Sequence, residues 1–184
     1  MQTEQIIEAL HNETLDMSIL STPLESPTLR EIHLYQEPFL LYSKDQSQFN
    51  SLEKVSQDDL TPENLLLLEE GHCFRNQVLN ICKINKDSKN KGLIFESGSI
   101  QTIKSLVKAG LGYSLVPLLS VQGFEDKKYS TAFKNPTPTR EISIVINKNF
   151  TKEKLVEGLL VSIKKNIPNN LKELDNYLKV RWKP

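Results

Sequence analysis

The sequence predicts an α/β protein with mostly parallel sheets, arranged as two lobes. Segments of strand length alternate with segments of helical periodicity along the chain, as in α/β folds. Pro38 and Pro138 each lie beside a predicted strand and mark two places where the chain crosses between lobes. The 184 residues suit one domain or two small lobes. We therefore expect lobe I at residues 1–37 and 140–184, and lobe II at residues 38–139.

The first half of the sequence begins with a predicted amphipathic helix. Gln2 to Asn12 places Ile6, Ile7 and Leu10 on one face. Polar residues fill positions 43–64 and predict a loop. Short apolar runs predict strands at Leu15–Leu20, Glu31–Leu34, Phe39–Tyr42 and Leu65–Leu68. The last of these is a continuous run of four leucines, which is typical of a strand buried on both faces.

The second half alternates in the same way. A helix is expected at Ile100–Lys108, because Ser97-Gly98-Ser99 can begin it and Gly110 and Gly112 can end it. The other predicted strands are Leu93–Glu96, Tyr113–Val116 and Glu141–Ile146. The other predicted helices are Phe74–Ile84, Lys152–Lys165 (Leu155, Leu159, Leu160 and Ile163 inward) and Leu171–Val180 (Leu171, Leu174 and Leu178 inward).

Composition restricts the class of protein. Lys+Arg and Asp+Glu are both 23, so the formal net charge is zero. Binding to nucleic acid depends on neutralising phosphates, so we do not expect this chain to bind DNA alone. No apolar run predicts a membrane segment, and a cytoplasmic location is the default expectation. In that compartment two cysteines stay reduced unless they are redox-active or bind metal.

Cys73 is the first candidate for chemistry. It lies at the predicted start of a helix, between His72 and Arg75, and both a helix N-terminus and nearby cations favour the thiolate. Arg75, Asn76 and Gln77 could donate hydrogen bonds to a departing hydroxide during peroxide reduction. The alternatives are a buried, inert thiol and ordinary solvated polar side chains.

Cys82 follows nine positions later. Along one continuous helix the two Cα atoms would lie roughly 13 Å apart and point to nearly opposite sides. A disulfide needs Cα atoms within about 7 Å. The two cysteines can therefore pair only if the helix between them breaks, which would make the segment a redox switch. Spacing alone does not establish that they pair.

Two further polar residues are weaker candidates. His72 with Cys73 and Cys82 does not match common zinc spacings, so we expect neither a metal nor a cofactor. His72 could instead tune the thiol, or be an ordinary loop histidine. Ser99, at a predicted helix N-terminus, could help bind a small polar or anionic ligand, or could simply be the N-cap.

The segment LLLLEEGHCFRNQVLNIC closely resembles the redox-active segment of the OxyR group of LysR-type transcription regulators. SIQTIKSLVKAGLGYSLVP, EPFLLYSKD and REISIVINK are similar to the cleft-facing unit and the two inter-lobe crossings of that family. The resemblance covers nearly the whole chain. It implies a two-lobed, periplasmic-binding-protein-like effector domain, here with lobe I truncated at its N-terminus and without the helix-turn-helix domain.

The resemblance also implies a function. Cys73 would be the peroxidatic thiol and Cys82 the resolving thiol, with His72, Arg75 and Gln77 around hydrogen peroxide. A homodimer or tetramer would bind DNA only through the helix-turn-helix domain, and would contact RNA polymerase in the full-length protein. Asn76 stands where the family typically has Asp, and an amide does not supply a carboxylate's charge. Ser97-Gly98 also departs from the usual pair.

Two other functions stay open at this point. The chain could be a LysR-type effector domain for a small organic metabolite, with incidental cysteines. It could also be a thiol peroxidase or a cysteine hydrolase. We expect no enzyme, because His11, His33 and His72 are its only histidines and none lies in a recognisable catalytic motif.

Overall fold

The computed structural model describes residues 1–44, 49, 53–70, 72–84, 98–172 and 174–181. Within these ranges the chain forms helices and strands in mixed order. The helices are α1 (Thr3–His11), α2 (Cys73–Ile81), α3 (Ile100–Lys108), α4 (Gly123–Lys127) and α5 (Glu153–Asn166). The strands are β1 (Met17–Thr22), β2 (Leu29–Ser43), β3 (Lys54–Val55), β4 (Tyr113–Pro117), β5 (Ser130–Phe133), β6 (Thr137–Asn147) and β7 (Tyr177–Lys179). The predicted strand at Leu93–Glu96 lies outside the described residues.

The chain divides into two compact units. Unit 1 consists of Met1–Glu37 and Arg140–Asp175, and unit 2 of Pro38–Thr139 and Asn176–Pro184. Residues 176–181, which the sequence assigns to lobe I, group with unit 2. The reason is that β7 pairs with the first residues of β6, which belong to unit 2.

Unit 1 is built on the antiparallel pairing of β1 with β6, from Met17 opposite Ile146 to Thr22 opposite Glu141. α1 contacts β1, and the Asn147 amide donates to the Leu10 carbonyl at 3.2 Å. A small apolar core lies under α5; its buried members are Leu34, Ile142, Ile144, Ile146 and Val156.

Unit 2 contains the larger core. β2 pairs antiparallel with both β4 and β5, β3 pairs with β5, and α3 packs on β4. The four leucines at positions 65–68 are all at most 5% exposed, as predicted. They form no regular strand, however: Leu65 makes an isolated bridge to Tyr113, and the Leu66 N–H donates to the Tyr113 carbonyl at 2.8 Å.

The prediction of mostly parallel sheets is wrong. Among the described residues the long pairings β1–β6, β2–β4 and β2–β5 are antiparallel. Parallel pairing is confined to the short strands β3–β5 and β6–β7. Alternation of strands and helices usually places parallel strands side by side. Here the long strands β2 and β6 pair instead with strands that run in the opposite direction.

Three local predictions also need correction. The segments on either side of Pro38 form one continuous strand, β2, and not two strands around a hinge. The predicted helix at Leu171–Val180 is a 3-10 turn at Asn169–Leu171 followed by β7. In α5 the buried residue is Val156, whereas Leu155 is 53% exposed. Where residues are described, no helix is both long and apolar enough to cross a membrane.

Candidate redox-active site

Helix α2 carries both cysteines, one at each end. It begins at Cys73, directly after His72, whose extended backbone (φ −94°, ψ 121°) makes it the N-cap. The Arg75 N–H donates to the His72 carbonyl at 3.0 Å and closes the first turn. Phe74, Val78 and Ile81 are each at most 6% exposed and hold the helix on the core of unit 2. This apolar face confirms the helical spacing expected from the sequence.

The C-terminal end of α2 is closed by a Schellman motif. Cys82 is the C-cap, and the N–H groups of Lys83 and Ile84 donate to the carbonyls of Asn80 and Leu79 at 3.3 and 3.0 Å. The motif needs a left-handed residue, which is usually glycine, but here it is Lys83 with φ +54°. A side chain in this conformation costs roughly 1 kcal/mol, so the helix end beside Cys82 is less stable than it could be.

The two thiols are on opposite sides of α2. Both cysteines are free. Because α2 is continuous from Cys73 to Ile81, the Cα atoms of Cys73 and Cys82 are separated by roughly nine helical rises, about 13 Å. Nine residues at 100° each also turn the two side chains by about 180°. A disulfide between them therefore requires α2 to break.

Cys82 is kept neutral by its surroundings. Its side chain is buried among the core residues of unit 2, and burial raises its pKa from 9.0 to about 12. Burial also raises the pKa of Tyr113, and the charge that Cys82 would carry as a thiolate raises it further. A Cys82 thiolate would thus disfavour ionisation of Tyr113. Cys73 is instead partly exposed, and so it is the thiol that a small oxidant can reach.

His72 lies near a carboxylate that sequence reasoning missed. Its Nε2 is 3.6 Å from Glu69 Oε1, an ion pair only when the imidazole is protonated. The same Glu69 oxygen lies 2.7 Å from where a Cβ on Gly98 would stand. Glu69 therefore connects the N-terminus of α2 with the residue before Ser99, and a side chain at position 98 would displace it. In the sequence Glu69 stands out only by its place directly after the leucine run.

The three polar residues of the first turns of α2 have different surroundings. Arg75 Nη1 donates to the Leu68 carbonyl at 2.8 Å, which fixes the guanidinium beside the leucine run. Asn76 is partly exposed. Gln77 is fully buried, and its amide donates to the Val180 carbonyl at 3.2 Å. The predicted contact of these residues with peroxide stays a prediction.

Ser99 is the N-cap of α3, and its hydroxyl accepts a hydrogen bond from the Gln101 N–H at 3.2 Å. This confirms the capping role, while the ligand-binding role stays a prediction. Ser97 lies outside the described residues. Across the described ranges no group of three or more His, Cys, Asp or Glu side chains could hold a metal ion.

Comparison with known proteins identifies the class. A model of the LysR substrate binding domain matches residues 1–166. The chain therefore belongs to the LysR substrate-binding domain family, as the resemblance in the sequence indicates. This domain is the regulatory part of a class of transcription factors.

Two curated relatives show which members of this family the chain resembles. The hydrogen peroxide-inducible genes activator of Pectobacterium carotovorum subsp. carotovorum is 33% identical over 147 residues, which are 78% of this chain and 48% of that protein. The DNA-binding transcriptional dual regulator OxyR of Escherichia coli (strain K12) is also 33% identical over 147 residues, 78% of this chain and 47% of that protein. The chain thus spans about half the length of these curated relatives.

The fold comparison agrees with the sequence comparison. The crystal structure of OxyR from Porphyromonas gingivalis matches with a TM-score of 0.85 and 26% identity, covering 98% of this chain and 83% of that chain. The predicted similarity to OxyR proteins is therefore confirmed for both sequence and fold.

Proposed function

We propose that this chain is the peroxide-sensing regulatory domain of a LysR-type transcription activator, and that it does not act as an enzyme. The observation that carries the proposal is the placement of two free thiols at the two ends of one helix, one partly exposed and one buried. The similarity to hydrogen peroxide-inducible activators supports it. Lobe I would correspond to Met1–Glu37 with Arg140–Asp175, and lobe II to Pro38–Thr139 with Asn176–Pro184.

The proposed reaction has two steps. The Cys73 thiolate attacks one oxygen of hydrogen peroxide, the O–O bond breaks, and hydroxide leaves and takes up a proton to form water. The product is a sulfenic acid on Cys73. The Cys82 sulfur, having given up its proton, then attacks the Cys73 sulfur; the sulfenic hydroxyl leaves as water and a disulfide forms. Two thiols lose two electrons, and one hydrogen peroxide becomes two waters.

The neighbouring side chains have proposed roles in the first step. Arg75, held by the Leu68 carbonyl, is placed on the first turn after Cys73, where it can stabilise the departing hydroxide. His72, with Glu69 at 3.6 Å, can orient the oxidant or the thiol. Asn76 and Ser99 complete the proposed polar surroundings, and Gln77, although buried, is proposed to contribute from the face of α2 that carries Cys73. A thiol reductant of the glutathione or glutaredoxin type would restore the reduced form.

The output of the switch would be a change in assembly. We propose that the chain acts in the cytoplasm as part of a homodimer or tetramer. Breaking α2 would change how the copies meet and so how a helix-turn-helix domain of the full-length protein contacts DNA and RNA polymerase. Sedimentation of the reduced and the oxidised chain tests whether oxidation changes the assembly. An unchanged distribution of species would contradict that change.

The decisive experiment is mass spectrometry of intact protein and peptides after a short, low-dose peroxide pulse. Free thiols are alkylated before and after reduction, so that a reversible crosslink is distinguished from irreversible oxidation. We expect a Cys73–Cys82 crosslink that a thiol reductant removes. If both thiols remain free at micromolar peroxide, the proposal fails, and an effector domain for a small metabolite becomes the better interpretation.

A further inference from the structure

Residues Asn176–Arg181, here called the C-terminal strap, contact helix α2 through Val180 and Arg181. Two side chains of the helix donate hydrogen bonds to strap carbonyls. Gln77 Nε2 donates to the Val180 carbonyl at 3.2 Å, and Asn80 Nδ2 donates to the Arg181 carbonyl at 2.9 Å. About one hundred residues separate the partners in each pair, so these are tertiary contacts and not local capping.

The strap is itself fixed to the rest of unit 2. β7 pairs in parallel with Thr137–Thr139, and the Val180 N–H donates to the Thr139 carbonyl at 2.8 Å. The Val180 side chain is 6% exposed and belongs to the same core as Cys82. The strap therefore joins α2 to β6. It lies beyond residues 1–166, which the family model matches.

The strap contacts the face of α2 that carries Cys73. At 100° per residue, Cys73, Gln77 and Asn80 fall within about 60° of one another on the helix surface, while Cys82 is on the opposite side. Bringing Cys82 round to Cys73 must turn or unwind the residues between them. Gln77 and Asn80 are both among those residues, so their bonds to the strap cannot survive that motion.

We propose that the C-terminal strap holds α2 in its helical, reduced form and is released when the helix breaks to join Cys73 and Cys82. The inference rests on the proposed function, since it names what restrains that switch. The two strap hydrogen bonds add to the free energy needed to open α2, so the strap slows the resolving step. When the strap is released, the edge of β6 loses its pairing with β7, so oxidation of α2 also changes the structure at β6. Hydrogen peroxide remains the oxidant, and the strap adds no chemical step.

The test uses the reactivity of Cys82 in the reduced protein and needs no oxidant. In a Cys73→Ser background only Cys82 reacts with an aromatic disulfide reagent, and because Cys82 is buried the rate reports opening of α2. Asn80 is exposed, so Asn80→Ala leaves the core intact. One lost hydrogen bond is worth about fivefold in the opening equilibrium. Alanine's better helix propensity offsets about threefold of this, so we expect labelling to be about twofold faster.

The matched control is Asn76→Ala in the same background. It makes the same substitution in the same helix and gains the same helix propensity, but Asn76 is not bonded to the strap. We expect unchanged or slower labelling. Equal rates for Asn80→Ala and Asn76→Ala would overturn the proposal, since the effect would then come from helix propensity alone.

Hydrogen exchange of the full chain, with both cysteines, gives the second readout. After oxidation we expect residues 177–181 to lose protection together with α2. If α2 loses protection and the strap keeps it, the strap proposal is overturned while the proposed function stands. If no crosslink forms at all, the proposed function fails, and the labelling comparison decides separately whether the strap holds α2.

Discussion

Cys73 is the first residue of helix α2 and Cys82 is the residue that caps its other end. The helix between them keeps the thiols roughly 13 Å apart at the Cα atoms, nearly twice the distance that a disulfide allows. Helix α2 thus opposes the pairing of its own two cysteines. Any reaction that joins them must exchange the hydrogen bonds of α2 for one covalent bond.

Replacing each cysteine separately should trap different products. In Cys82→Ser, peroxide should convert Cys73 to a sulfenic acid that accumulates, because no resolving thiol is present. In Cys73→Ser, the buried Cys82 should react far more slowly, because its neutral thiol is a poor nucleophile. Mass spectrometry after trapping with a sulfenic acid reagent measures both. Equal oxidation of the two variants would contradict the assignment of Cys73 as the peroxidatic thiol.

The stability of the reduced protein should depend on Cys82 at high pH. Burial raises the pKa of Cys82 from 9.0 to about 12, so the fold favours the neutral thiol. The contribution of the neutral thiol to the free energy of unfolding is complete below about pH 9. It is lost as the pH rises towards 12, by up to about 1.4 kcal/mol per pH unit. Urea unfolding with reductant present measures the free energy of unfolding of the wild-type chain and of Cys82→Ala. The difference between these two free energies should shrink as the pH rises through this range. A difference independent of pH would refute the prediction.

Lys83→Gly should stabilise the closed form of α2. Glycine adopts the left-handed conformation of position 83 without the roughly 1 kcal/mol that a side chain costs there. The lost ion pair from Lys83 to Asp58, 2.7 Å long, is exposed and worth little. Labelling of Cys82 in the Cys73→Ser background should slow about threefold.

The control for this change is Glu25→Gly. Glu25 also has a positive φ, +57°, but it belongs to unit 1, whereas α2 belongs to unit 2. It should leave Cys82 labelling unchanged. Faster labelling in Lys83→Gly would show that the Lys83 side chain matters more to the helix end than its backbone conformation does.

The buried carboxylate Asp126 should be essential for the stability of unit 2. It accepts hydrogen bonds from Lys104 at 2.5 Å, Lys108 at 2.9 Å and Tyr42 at 2.9 Å. Burial raises the pKa of Asp126, but these bonds outweigh it and hold the pKa well below its usual range. Asp126→Ala would leave the Lys104 ammonium, 3% exposed, without this partner. We expect a loss of about 3–5 kcal/mol in the free energy of unfolding.

Glu125→Ala provides the comparison for Asp126→Ala. Glu125 pairs with Lys128 at 2.7 Å on the surface, and its side chain is 70% exposed. Its removal should cost less than about 1 kcal/mol. Chemical denaturation of both variants measures the two values, and similar losses would mean that burial does not distinguish the two carboxylates.

Several elements could be predicted because their signals are local. Helix α3 has the predicted bounds, Ile100–Lys108, since a serine N-cap and following glycines act on adjacent residues. The apolar spacing of Phe74, Val78 and Ile81 likewise indicated α2 and its buried face. The positions of the two cysteines on this helix, and the need to break it before they pair, follow from the same spacing.

Other features depended on distant parts of the chain. The apolar spacing at Leu171–Val180 indicated a helix, but Thr137–Thr139 offers an open backbone edge and the core accepts Val180. Pairing with that edge satisfies the backbone of β7, whose side chains stay exposed, and buries Val180 at its end, so the tertiary contact overrides the local pattern. The antiparallel partners of β2 and β6 were missed for the same reason.

The sequence by itself determined which residues could do the chemistry, because thiol type, helix period and capping are properties of neighbouring residues. The tertiary structure alone decided how those residues are restrained. It buried Cys82 beside Tyr113, brought Glu69 to Gly98, and placed Val180 and Arg181 against α2. Burial and hydrogen bonding between segments that are far apart in the sequence depend on the complete packing of a unit, and no local pattern encodes them.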